Sequence, residues 1–158
     1  CYVRNNSVLP AVGVMQFDDA DIQNYINTGR FESVVLHEMN HVVGFGTIWT
    51  DKNLLQNPAF NNDQPTGSTN PRFMGAGAIA SCMTGGGSIK LCTVDAGVAV
   101  EACGSSGTAD GHWREMFAEC LGGASNAPGP GTPAFDAELM TGYVEATGVT
   151  MPWSAISR

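Results

Sequence analysis

The stretch Ser33–Trp49, "SVVLHEMNHVVGFGTIW", decides how this chain is read. It contains H-E-x-x-H, formed by His37, Glu38 and His41, and then a glycine at Gly44. On a helix, residues four apart share one face with Cβ atoms about 5–6 Å apart. His37 and His41 can therefore hold one ion from one rigid element. Zinc accepts neutral imidazole, and catalytic zinc sites typically use three protein ligands plus water. Glu38, beside the first ligand, is placed to reach that water without binding the metal. The pattern implies metal-assisted amide hydrolysis: zinc lowers the pKa of the water, and Glu38 takes its proton as general base. Glu38 then returns the proton to the leaving amine. Two histidines and a glutamate in an otherwise apolar helix would also be costly without a partner, and a metal supplies one.

Around the motif, Val34, Val35, Leu36, Met39, Val42 and Val43 nearly encircle a helix expected over Phe31–Val43. That distribution predicts a buried central helix. Gly44 stands at the C′ position, where glycine readily takes the left-handed conformation. Upstream, Leu9–Phe17 reads as a short strand. Asp18 or Asp19 then caps a helix with Ile22, Tyr25 and Ile26 on one face and Gly29 as its stop. Downstream, Thr50–Asn70 is a polar, turn-rich surface excursion. Arg72–Met83 is expected to hold a short helix, Ser88–Cys103 short irregular strands, and Met151–Arg158 the opening of a helix.

The compact form of the zinc signature has a third histidine three residues after the glycine, where this chain has Thr47. Of the three histidines in the sequence, only His112, in "GTADGHWREMF", remains. A histidine beside a tryptophan would alone read as a packing residue. Two ligands that require a third make His112 the economical choice. Glu115 and Glu119 stay open as carboxylate alternatives of the His₂Glu kind.

Length and composition fit one domain with a real core: 158 residues, 43% hydrophobic and 14% charged, with 20 glycines that favour a loop-rich fold. A net charge of −8 argues against nucleic-acid or anionic-membrane partners, which require a basic patch. No apolar run approaches the ~20 residues of a membrane span, and the opening residues carry no leader pattern. The five cysteines (Cys1, Cys82, Cys92, Cys103 and Cys120) include no C-x-x-C, which disfavours a zinc ribbon or a thioredoxin-type site. Local pairing of Cys82 with Cys92 and of Cys103 with Cys120 is preferred, in an oxidising extracellular compartment. Asn5-Asn6-Ser7 is a glycosylation sequon of little specificity.

The order of motifs resembles the leishmanolysin-like family of metzincin zinc metallopeptidases. The resemblance rests on "LPAVGVMQFDDADI", "LHEMNHVVGFGTIW", "TNPRFMGAGAIA", "GTADGHWRE" and "ELMTGY", and covers most of the chain. In that family an insertion after the helix glycine displaces the third ligand, and here residues 45–111 would be that insertion. The resemblance implies an α+β, metzincin-type catalytic domain with an active-site helix and an irregular C-terminal part. Residues 1–44 would form the N-terminal part of this single domain. Residues 45–158 would carry the insertion, the third ligand and a Met-turn. Relative to the family pattern, the domain is expected to be incomplete at both ends. The resemblance also implies one catalytic zinc ion on His37, His41 and His112, Glu38 as base, and Met140 as the Met-turn methionine. Asn40 replaces the small residue usual before the second histidine. Tyr143 falls one position beyond the tyrosine of those metzincins that use one, so no oxyanion role is expected of it.

The sequence therefore points to a secreted zinc endopeptidase acting on proteins or peptides. Its rivals are an extracellular structural or adhesive module with a metzincin fold and little proteolysis, perhaps within a larger chain or assembly, and a non-peptidase zinc hydrolase.

Overall fold

A computed structural model of the chain describes residues 2–68, 70–84, 92–93, 96–115, 135 and 138–157. These residues mix helices with small antiparallel sheets, an α+β arrangement. Strands β1 (Tyr2–Val3) and β2 (Pro10–Val12) form a two-stranded ribbon. Helix α1 (Asp19–Asn27) starts where the Asp18 carboxylate accepts the Ala20 N–H at 2.9 Å. It closes where the Thr28 hydroxyl donates to the Asn24 carbonyl at 2.7 Å. Helix α2 (Phe31–Val42) follows and carries the histidine motif. Strands β3 (Leu55–Gln56), β6 (Arg72–Phe73), β8 (Gly97–Ala99) and β7 (Cys92–Thr93) lie in that order in a four-stranded antiparallel sheet. A second small ribbon pairs β4 (Phe60–Asn61) with β5 (Gln64–Pro65). Helix α3 (Ala76–Thr84) packs on β7 and β8, and the Cys82–Cys92 disulfide joins it to the sheet. Cys103 is also disulfide-bonded; its expected partner, Cys120, lies outside the described residues.

The core sits between this sheet and the segments that build the site. Val98, Ala99 and Val100 are fully buried, together with Trp113, Leu139 and Met140. Four aromatic rings converge there. The Trp113 ring centroid lies 5.1 Å from those of Phe45 and Trp49 and 5.5 Å from that of Phe73. Since aromatic residues bury the most apolar area per side chain, this cluster anchors the segment that follows α2 to the segment around His112.

Several expectations change. The strand expected over Leu9–Phe17 shrinks to Pro10–Val12, and the chain from Gly13 runs beside α2 with Gly13 against Val42. Helix α2 is not buried on all sides: Leu36, Met39 and Val43 are 42%, 48% and 68% exposed, and Asn40 is its one buried residue. The helix turns its polar histidine face inward, toward the returning insertion, and so leaves its other apolar face out. Asn40 fits without crowding because its side-chain amide donates to the Leu36 carbonyl at 2.9 Å. Residues 151–157 form no helix. Ser154 and Ser157 instead donate their hydroxyls to the Glu138 carboxylate at 2.9 and 2.6 Å, and the Pro152 carbonyl accepts the Leu139 N–H at 3.0 Å, so this segment's polar groups bond across the chain rather than along a helix.

One contact decides whether the insertion can return to α2. Gly46 has φ +73°, and a Cβ there would overlap the carbonyl oxygen of Gly111 and lie 2.8 Å from the Gly111 Cα. Two stretches of backbone touch at this point, directly before His112. Gly46→Ala is therefore expected to destabilise the protein by about 2 kcal/mol or more, through left-handed strain plus overlap that no rotamer relieves. Denaturant unfolding measures this, and an unchanged midpoint would show that the approach is not required.

Candidate metal centre

The site begins with the way α2 ends. The Gly44 N–H donates to the His41 carbonyl at 3.1 Å and the Phe45 N–H to the Asn40 carbonyl at 2.9 Å, with Gly44 at φ +114°. This is the paired bonding of a Schellman stop, which depends on a residue tolerant of positive φ. The stop also turns the Phe45 carbonyl back over the helix, where it accepts from His41 Nδ1 at 2.8 Å. The glycine expected to end the helix thus also orients the His41 ring.

The other two rings are held in the same manner. His37 Nδ1 donates to the Leu139 carbonyl at 2.7 Å, and His112 Nδ1 to the Thr108 carbonyl at 2.7 Å. A carbonyl oxygen can only accept, so each neutral ring carries its proton on Nδ1 and a lone pair on Nε2. The three Nε2 atoms converge, with separations of 3.0 Å for His37 and His41, 3.1 Å for His37 and His112, and 2.9 Å for His41 and His112. Three lone pairs this close, with no proton between them, repel one another unless a cation sits among them. A tetrahedral ion about 2.0–2.1 Å from each nitrogen would have its ligands about 3.3 Å apart, close to what is seen. The group His37, His41 and His112 can therefore hold a metal ion.

Burial prepares the rings for that role. His112, only 6% exposed, has its pKa pushed down to about 3, first by burial, then by the neighbouring His41, against the opposing Thr108 hydrogen bond, with His37 lowering it further. Burial likewise lowers His41. The sign of the linkage follows. Below the ordinary histidine pKa of 6.5 the unfolded chain binds a proton at His112 that the folded chain refuses, so stability falls as pH drops from 6.5 toward 3. In chelator-treated protein, unfolding free energy is expected to be about 1–2 kcal/mol lower at pH 5.5 than at pH 7.5. Stability that stays flat or rises over that interval would contradict a buried, neutral His112.

A cleft of about 250 Å³ opens beside His37 and His112, lined also by Val34, Glu38, Thr108, Tyr143, Val144 and Met151. Glu38 faces the same cleft as His37 and His112 but is outside the ligand group. Met140 is fully buried between two residues of the site region. Its neighbour Leu139 accepts from His37, its neighbour Thr141 lines the cleft, and its own carbonyl accepts the Trp113 N–H at 2.9 Å. Tyr143 is partly exposed at the cleft wall, with its phenol pKa raised by burial and then by the Glu101 and Glu115 carboxylates. Glu115 does not join the ligand group, and Glu119 lies outside the described residues.

Sequence reasoning missed two buried carboxylates that brace the site. Glu138 accepts the Met140 N–H at 2.5 Å and the Ser154 and Ser157 hydroxyls, which ties the chain's last turn to the Met140 segment. Glu101 accepts three main-chain N–H groups around the His112 loop. A signal existed for Glu101: it is the one charged residue in the apolar run Gly97–Cys103. Asp110 similarly accepts the Ala59 and Phe60 N–H groups at 2.8 and 2.7 Å and draws the insertion's ribbon against this loop.

No protein-family model, curated protein or solved structure matches this chain. No helix among the described residues is long and apolar enough to cross a membrane.

Proposed function

We propose that this protein is a secreted zinc-dependent endopeptidase of the leishmanolysin-like metzincin kind. The observation that carries the reading is the convergence of three Nε2 lone pairs within 3.1 Å, each ring fixed through Nδ1 by a backbone carbonyl. Three neutral histidines beside an open cleft match the donor set of catalytic zinc, whereas structural zinc sites close all four positions with protein ligands. Zinc bound there would supply Lewis acidity, polarising a carbonyl and making water nucleophilic near neutral pH.

The chain's own residues supply the rest. His37, His41 and His112 would hold the ion in one orientation, since none can rotate without breaking its carbonyl bond. Glu38 projects into the cleft from the same turn as His37, and it would take the proton from the attacking water and pass it to the leaving nitrogen. The apolar wall of Val34, Val144 and Met151 would seat substrate side chains and exclude bulk water. The Cys82–Cys92 disulfide supports an oxidising, extracellular setting.

Metal removal tests the reading. The protein is expected to carry one zinc per chain and to digest denatured casein. Treatment with a chelator should abolish digestion, and added zinc should restore it. Stoichiometric zinc without digestion would favour the structural or adhesive module, and no bound zinc would remove the metal site altogether.

A further inference from the structure

The third ligand stands on a loop, not on a helix, and something must keep that loop from wandering. Glu101 lies directly behind it and is 1% exposed. Its Oε1 accepts the N–H groups of Ala102 and Cys103 at 2.9 and 2.8 Å, where the loop departs. Its Oε2 accepts the Glu115 N–H at 3.2 Å, where the loop comes back. Main-chain bonds close the same ring: the Glu101 N–H donates to the His112 carbonyl, and the Asp110 N–H to the Glu101 carbonyl, each at 2.9 Å. Between these points lies Thr108, whose carbonyl fixes the His112 ring. The stem of Glu101 also reaches the wall of the site, since a Cβ added to Gly142 would lie 3.7 Å from both Glu101 Cγ and His112 Cγ. The guanidinium of Arg114, buried nearby, supplies opposing charge.

We propose that Glu101 is a positioning residue of the metal centre: its buried carboxylate clamps both ends of the 102–115 loop and thereby holds the Thr108 carbonyl and His112 Nε2 in ligating geometry. The inference rests on the metal-site reading above and adds to it a residue that touches neither the metal nor the cleft's reacting atoms. A neutral amide cannot replace the carboxylate. Glutamine offers one acceptor oxygen, and its NH₂ would face a main-chain donor where Oε1 or Oε2 now accepts. Charge-assisted bonds of this kind are also the stronger ones. With the clamp loosened, ordering the loop must be done at the moment of metal binding, at a cost in affinity.

The test compares Glu101→Gln with Asp18→Ala, which loses the cap of α1 at the Ala20 N–H, on an element that carries none of the three rings. Zinc affinity is measured by competition with a chromophoric chelator, stability by denaturant unfolding of the metal-free protein, and ligand geometry by the visible bands of the Co²⁺-substituted form. Glu101→Gln is expected to weaken zinc binding about 10–100-fold, as outer partners of metal ligands typically do, and to alter the cobalt bands. Asp18→Ala should lower stability while leaving zinc affinity and the cobalt spectrum near those of the parent. Parental zinc affinity in Glu101→Gln, with stability reduced, would overturn the proposal and leave Glu101 a structural residue. A parent protein that binds no zinc would instead overturn the site reading beneath it. Should Glu101→Gln fail to fold, Glu101→Asp decides the matter: its shorter stem cannot reach both loop ends, so weaker zinc binding supports the clamp and unchanged binding overturns it.

Discussion

His112→Ala is expected to lose stoichiometric zinc. The argument is geometric: two nitrogens from α2, 3.0 Å apart, define only an edge, and the third at 2.9 and 3.1 Å completes the face on which an ion can sit. Removing an outer partner of a ligand costs about 10–100-fold in affinity, and removing a ligand itself should exceed the upper end of that range. The variant should fold, because the loop remains tied by the Glu101 and Asp110 carboxylates and by Trp113, whose indole donates to Ser157 at 2.8 Å. Metal analysis after dialysis against a weak chelator measures the result. Zinc retained at one per chain would move the third ligand elsewhere.

Glu38→Ala is expected to separate binding from turnover. Glu38 lies in the cleft but outside the ligand group, so zinc content should stay at the parental level. Casein digestion should fall by about 10²–10⁴-fold, the usual range for loss of a positioned general base. The pairing of the two results matters. A variant that loses both zinc and activity would make Glu38 part of metal retention, and one that keeps digesting casein would sink its assignment as base.

The centre was legible in the sequence to different depths. The pairing of His37 and His41 was readable because helical periodicity converts spacing directly into geometry. Gly44 was readable because few residues tolerate positive φ at a helix stop. His112 came from counting, as the last histidine once the helix motif pointed to a third; its approach to α2 depends on a backbone contact at Gly46 and Gly111 that no local pattern announces. Helix α3 and the Cys82–Cys92 bridge followed from composition and spacing. The burial of α2 was misjudged for a physical reason. Hydrophobic periodicity assumes that apolar faces turn inward, and here the inward face carries the histidines and Asn40. The Met151–Arg158 stretch reads as the opening of a helix, whereas Ser154 and Ser157 give their hydroxyls to a buried acceptor sixteen residues or more upstream. Long-range pairing of this sort leaves no periodic trace.

All three imidazoles are oriented by main-chain carbonyls, those of Phe45, Thr108 and Leu139. Had carboxylate or amide side chains done this work, each would be a single point at which one codon change disarms the centre. A carbonyl belongs to every residue, so the side chains at positions 45, 108 and 139 are free to vary for reasons of packing alone. The vulnerability moves to places where the path of the backbone is decided, a glycine that must stay small or a buried acid that gathers N–H groups. In a saturation library, the map of intolerance around this centre would therefore trace the course of the chain rather than the ring of groups that touch the histidines.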